Sequence, residues 1–171
     1  AAKIIGGKLA TSGGYEWTAT RPILLAIIWG VLYRFGANEL ILHLTEIFFA
    51  VLGTLATYLI AKELYDKKIG LIASFIFAVF YLHLFYTIRL MSDVPAISLY
   101  FLSLYFLRKG FVKEQGNKYK ILAGAFFSLS LFARAATIIE TPVPLLFLLL
   151  YKRFKLFKDK YFWYAVIIAV F

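Results

Sequence analysis

From residue 22 onward the chain alternates long apolar runs with short polar breaks, most of them basic. Pro22 to Phe35 comes first, bounded by Arg21 and Arg34. At about 1.5 Å per residue it reaches only about 21 Å, short of the roughly 30 Å hydrocarbon layer of a bilayer. This pattern predicts a helix lying in the interface, with Pro22 in its first turn. Ile41 to Ala61 predicts the clearest crossing, its polar intruders being His43, Thr45, Glu46 and Thr54. Ile69 to Ile88 predicts the return. Val94 to Leu107 comes back again, closed by Arg108 and Lys109, whose stems can snorkel and lengthen a short helix.

Ile121 to Tyr151 is one apolar stretch interrupted at Arg134, Glu140, Pro142 and Pro144. As a single helix it would run roughly 46 Å, too long for one upright crossing. The charges and prolines predict a break near Thr137–Pro144 and a hairpin of spans at about 121–137 and 141–151. A last span covers 161–171. Residues 1–20 are polar and glycine-rich and read as loop, so that 1–40 form an external loop carrying the interfacial helix. The expected fold class is all-α, a polytopic transmembrane helical bundle with an interfacial helix in its first external loop.

Composition and charge sharpen this picture. Of 171 residues, 63% are hydrophobic, more than a soluble domain of this length buries. Loops 62–68, 108–120 and 152–160 hold three, five and five of the 19 Lys and Arg residues. The hairpin puts all three loops on one side, which the positive-inside rule makes cytoplasmic. Residues 1–40, the 89–95 turn and the 134–144 break then face the other side. The net charge of +10 is spread through loops rather than gathered on a folded patch, so it points to lipid head groups and not to nucleic acid. The absence of cysteine excludes disulfides and thiolate chemistry. No phosphate-binding loop, dinucleotide fingerprint or hydrolase elbow is present. The chain begins without methionine and ends inside an apolar run, and is expected to be an internal piece of a longer protein.

The chemistry-bearing residues cluster on the side without basic loops. Asp93, within Arg89-Leu90-Met91-Ser92-Asp93-Val94-Pro95, has two readings. One is a helix cap, with Ser92 or Asp93 bonding the free amides of a helix whose first turn contains Pro95. The other is a carboxylate held at the membrane surface as a general base or metal ligand. Arg89, four residues earlier, lies on the same helix face if the preceding helix continues that far, and reads as a surface ion-pair partner or a snorkelling interface arginine. Arg134 follows a long apolar run, where a charge is costly and tends to face a polar cavity; its plainer alternative is pairing with Glu140. His43 and Glu46, three residues apart, read as a pair satisfying each other between helices.

The order of these features resembles the GT-C glycosyltransferases, especially the dolichyl-phosphate-mannose protein mannosyltransferase-like (family 39) members of prokaryotes. The resemblance rests on four stretches. The first is a helix opened by Arg21-Pro22-Ile23-Leu24 and closed by Tyr33-Arg34-Phe35-Gly36. A span ending Tyr58-Leu59-Ile60-Ala61-Lys62-Glu63-Leu64-Tyr65 comes second. The third is the Arg89–Pro95 turn, and the fourth a span ending Leu131-Phe132-Ala133-Arg134-Ala135-Ala136-Thr137.

The resemblance implies transfer of a sugar from a polyprenyl (dolichyl or undecaprenyl) phosphate carrier on the extracytoplasmic face of a prokaryotic plasma membrane. The acceptor would be a protein, lipid or glycan. Asp93 matches a second acidic position of the family, implying acceptor activation or binding of a divalent metal. Arg89, Arg134 and Arg21 stand at places suited to the lipid phosphate. The family's first-loop acidic motif lies upstream of the segment resembling Ala2 to Trp17, so the main catalytic carboxylate is expected to be missing from this chain. Glu16 is too close to Pro22 to replace it, and these residues alone are expected to be inactive. The competing readings are a transporter or flippase with Glu46, His43 and Arg134 lining a path through the bilayer, and a non-catalytic membrane subunit.

Overall fold

The computed structural model describes residues 23–152 and 159–170. Arg21, Pro22, the segment 1–20 and most of the third basic loop lie outside the described residues. Among those described, the chain folds as eight α-helices without a strand. They are α1 (Ile23–Arg34), α2 (Glu39–Leu64), α3 (Lys67–Val79), α4 (Tyr81–Ile88), α5 (Asp93–Leu107), α6 (Asn117–Ala133), α7 (Pro142–Lys152) and α8 (Lys160–Val170). A π turn, Arg108–Val112, extends α5, and a 3-10 turn, Ala135–Glu140, leads into α7.

Local chemistry explains where these helices start and stop. The Asn38 side chain accepts the Ile41 amide at 3.2 Å and opens α2, while Asp66 does the same for Ile69 at 2.8 Å and opens α3. Glu39–Leu64 is long and apolar enough to cross a membrane, as is Ala135–Lys152 taken together. The expected span 69–88 is broken. α3 stops at Val79, Phe80 is extended, and α4 leaves at a bend of 52°. Neither proline nor glycine marks this break in the sequence.

The apolar stretch 121–151 breaks earlier than Thr137–Pro144. α6 ends at Ala133 and Arg134 is extended, with φ −156° and ψ 112°. Pro142 and Pro144 fall inside the first turn of α7, where a missing N–H breaks no hydrogen bond. Those prolines start the next helix, and do not make the turn.

α5 is the centre of the bundle. It packs along α2 on one side and α6 on the other; α3 lies along α2, and α8 along α6. Two glycines set how closely these helices approach. A Cβ at Gly53 would lie 2.5 Å from the Ser98 Oγ, and one at Gly124 would lie 2.6 Å from the Ala165 carbonyl oxygen. Small residues at such crossings are the usual means of packing helices where lipid supplies no hydrophobic drive. α1 lays Leu25 into a core shared with Phe49, Val94, Leu99 and Ala133. A second core, Phe111, Leu148, Phe162 and Ala165, joins the π turn to α7 and α8.

The two ends of the bundle are chemically unlike. One end gathers the basic loops, and its acids sit among their cations. Glu63 takes Lys113 at 3.1 Å, Arg108 at 3.6 Å and Lys109 at 3.9 Å, and its carbonyl accepts from Arg108 at 2.8 Å. Arg108 and Lys109 are therefore turned onto Glu63. Lys152 bonds Glu114 at 2.6 Å, and Lys120 pairs with Asp159. Burial pushes the Asp159 carboxyl up. The Lys120 hydrogen bond, the Tyr161 amide and the charges of Lys120 and Lys152 outweigh burial and hold it below the ordinary aspartate range. The Lys152 hydrogen bond and charge likewise hold the Glu114 carboxyl down. The opposite end carries the 35–38 turn, the 89–92 turn and the 134–141 segment.

Candidate functional site

At that opposite end the turn between α4 and α5 aims Asp93 across the bundle. Arg89 closes α4, and Leu90 takes a left-handed conformation at φ +48°, uncommon for a residue with a branched side chain. α5 then begins at Asp93, with Ser92 making no side-chain cap bond. The Asp93 carboxylate goes to Arg134: Nη1 of the guanidinium donates to Oδ1. Arg134 reaches it because the extended backbone after α6 turns its side chain back toward α5, while its amide donates to the Ser130 carbonyl at 2.9 Å. Neither residue is buried; Asp93 is 26% exposed and Arg134 50%.

The pair stands at the polar end of a groove of about 500 Å³ between α3–α4, α5 and the 3-10 turn. Phe77, Phe80, Leu82, Tyr86, Ile97 and Ile139 give it apolar and aromatic walls. His83, Asp93, Arg134, Thr137 and Glu140 supply its polar groups. The 3-10 turn is tied down by the Tyr100 hydroxyl, which donates to the Glu140 carbonyl at 3.2 Å. Such a shape, half greasy and half ionic, accommodates an amphiphile with a charged head.

The singled-out residues divide clearly. Asp93 and Arg134 meet, although α5 and α6 separate them by 41 positions. Arg89 does not share a helix face with Asp93, because the 89–92 turn intervenes; its guanidinium lies over the Phe85 ring, 4.3 Å from the centroid. Arg134 goes to Asp93 and not to Glu140. The His43–Glu46 pair does not form. His43 faces Glu39 at 3.9 Å, while Glu46 is fully buried and neither carboxylate oxygen has a hydrogen-bond partner. The reason lies in helix register: Leu42, Glu46, Phe49, Gly53 and Ala56 form the buried stripe of α2, and His43 falls one step off it.

His83 was not apparent from the sequence. It is 7% exposed, packed 4.3 Å from the Phe77 ring centroid, and its Nε2 has no hydrogen-bond partner. The signal that would find it is its position in the first turn after the α3–α4 break, but no sequence punctuation reveals that break.

A divalent metal fits this end poorly. Among the described residues no three His, Asp or Glu side chains converge as ligands, and the Asp93 carboxylate already carries a guanidinium.

The fold is that of an integral membrane helical bundle, with a groove that is part apolar and part ionic. A family model described as dolichyl-phosphate-mannose-protein mannosyltransferase matches residues 20–171, and the chain belongs to that family of membrane glycosyltransferases. No curated protein and no solved structure matches the chain.

Proposed function

We propose that the protein transfers a sugar from a polyprenyl-phosphate carrier to a protein, lipid or glycan acceptor on the extracytoplasmic face of the membrane. The observation that carries this reading is the Asp93–Arg134 pair at the mouth of an aromatic-walled groove, on the end opposite the basic loops. The donor's isoprenoid tail suits the apolar walls and its phosphate suits the cation.

The chemistry balances with these groups. The acceptor hydroxyl or amide attacks the anomeric carbon as the bond from that carbon to the phosphate oxygen breaks. Polyprenyl phosphate leaves with the electron pair, and Asp93 assists removal of the acceptor proton. Arg134 takes up the charge that develops on the phosphate. A guanidinium has five N–H donors in a planar fork, so it can hold Asp93 and a phosphate oxygen together. Arg89 sits at the same end with its guanidinium over an aromatic face, available to a head group near the rim. Arg21 is assigned to the same phosphate on the resemblance alone.

The test is sugar transfer by the full-length protein in proteoliposomes supplied with a polyprenyl-phosphate sugar. Asp93→Asn is expected to abolish transfer while leaving insertion and folding intact. Wild-type turnover in this variant would falsify the proposal. A transporter remains the second reading because the Glu46 carboxylate is buried inside the bundle without a hydrogen-bond partner. Substrate uptake into vesicles that Glu46→Gln blocks would favour it.

A further inference from the structure

The basic end carries more cations than its acids neutralise, and the surplus is not spread evenly. Glu63 is the acid that faces Arg108, Lys109 and Lys113, and Lys113 comes closest to it at 3.1 Å. Lys118 has no acidic partner among the described residues. Lys109 and Lys118 converge instead on Tyr119. Their Nζ atoms lie 5.5 and 5.2 Å from its ring centroid, and Lys109 lies 4.6 Å from that of Tyr105. An aromatic face attracts an ammonium through its quadrupole but does not neutralise the charge. Two cations are thus gathered beside one ring with their charge unspent.

Below these lysines the helices present a column of flat rings. Phe106 of α5 lies between Tyr119 and Phe126 of α6, with centroids 6.2 and 5.3 Å away and planes tilted by only 16° and 18°. All three rings are partly exposed. Phe126 stands seven residues further along α6 than Tyr119, so the column runs about 10 Å from the basic end into the bundle. A soluble anion gains nothing from an apolar strip of that depth. Cations at head-group level that continue into aromatic rings match the two parts of a lipid, its phosphate and its acyl chain. The surplus positive charge favours an anionic head group over a zwitterionic one, whose own ammonium it repels.

We propose that Lys109 and Lys118, with the Tyr119–Phe106–Phe126 column, form a binding site for one anionic phospholipid. Its phosphate sits between the two ammonium groups and an acyl chain lies along the rings. The bound lipid ties the π turn at the end of α5 to the start of α6 and offsets the charge that Glu63 leaves over. This site is at the end of the bundle opposite the groove, and it stands whether or not the protein transfers sugar.

The experiment is a titration of the full-length protein in detergent with phosphatidylglycerol, followed by native mass spectrometry. Phosphatidylcholine of the same acyl chains is the reference. The wild type is expected to hold one phosphatidylglycerol in clear preference to phosphatidylcholine. Lys109→Gln with Lys118→Gln, which leaves Glu63 with Arg108 and Lys113, is expected to weaken phosphatidylglycerol binding about thirtyfold. Lys67→Gln with Lys68→Gln removes the same charge from the start of α3. Because α3 packs on α2, and α2 and α5 stand between it and α6, that loss is expected to stay below about threefold. Tyr119→Leu, with every lysine in place, is expected to cost about fivefold.

Equal losses from the two charge-matched pairs would mean diffuse surface attraction and would overturn the site. So would a wild type that binds the two phospholipids alike. Unchanged binding in Tyr119→Leu would remove the aromatic column from the site. Glycerol phosphate, which has the phosphate but no acyl chain, is expected not to displace the lipid at equal concentration; displacement would reassign the cations to a soluble anion and defeat the proposal.

Discussion

The basic end and the groove end of this bundle both join helices through ion pairs, but they use charge differently. At the basic end Glu63 sits among three cations, and Glu114 and Asp159 each hold a lysine. These contacts stitch the α2, π-turn, α6 and α8 termini together over the Phe111–Leu148–Phe162 core. At the groove end Asp93–Arg134 is a partly exposed pair, with the buried Glu46 carboxylate nearby and unpartnered. An exposed ion pair contributes only about 0–1 kcal/mol to stability. The groove-end pair is therefore too weak to be explained as scaffolding, and unpaired polar groups beside it are a cost that binding can offset. Charge at one end closes the structure; at the other it is left available.

This contrast is broken most sharply by exchanging the groove-end partners. The double substitution Asp93→Arg with Arg134→Asp keeps an ion pair, and is expected to keep the melting temperature within a few degrees while sugar transfer falls more than about a hundredfold. Recovery of transfer in the exchanged protein would mark the pair as structural. Arg134→Ala alone is expected to lower transfer about a hundredfold through loss of phosphate stabilisation, again with little change in melting.

Stability effects should appear elsewhere. Gly124→Val places a side chain against the Ala165 backbone and is expected to cost about 1–3 kcal/mol, read as a lower unfolding midpoint in detergent. The basic end should also respond to acid. The Asp159 carboxyl is held below its ordinary value, so its contribution is fully present above the ordinary aspartate range. It is lost as pH falls through the depressed folded-state value. Melting measured from neutral pH down to about pH 3 should show a small acid loss that Lys120→Met reduces. An identical acid profile in both proteins would contradict that assignment.

How much of this could be read from the sequence depended on whether the feature was written in local punctuation. Long apolar runs bounded by Lys and Arg gave the helices, since burial in lipid demands them. Asp93 and Arg134 stood out because each charge interrupts such a run, but nothing local said that they meet; that follows from α5 and α6 packing side by side. The α3–α4 break at Phe80 was invisible, lacking proline or glycine, and with it went His83. The prolines at 142 and 144 serve a helix start, which composition alone does not distinguish from a turn. The three-residue spacing of His43 and Glu46 suggests a pair, whereas the stripe through Leu42, Phe49, Gly53 and Ala56 turns Glu46 inward.

The division between the two ends has meaning only if they face opposite sides of the membrane. The chain has no cysteine, so single cysteines report cleanly. Met91→Cys, exposed in the turn before Asp93, and Lys113→Cys, exposed beside Glu63, mark the two ends. With a membrane-impermeant thiol reagent added to intact cells, position 91 is expected to label and position 113 to label only after the membrane is opened. Labelling of position 113 from outside, with position 91 protected, would contradict the orientation on which sugar transfer at the outer face depends.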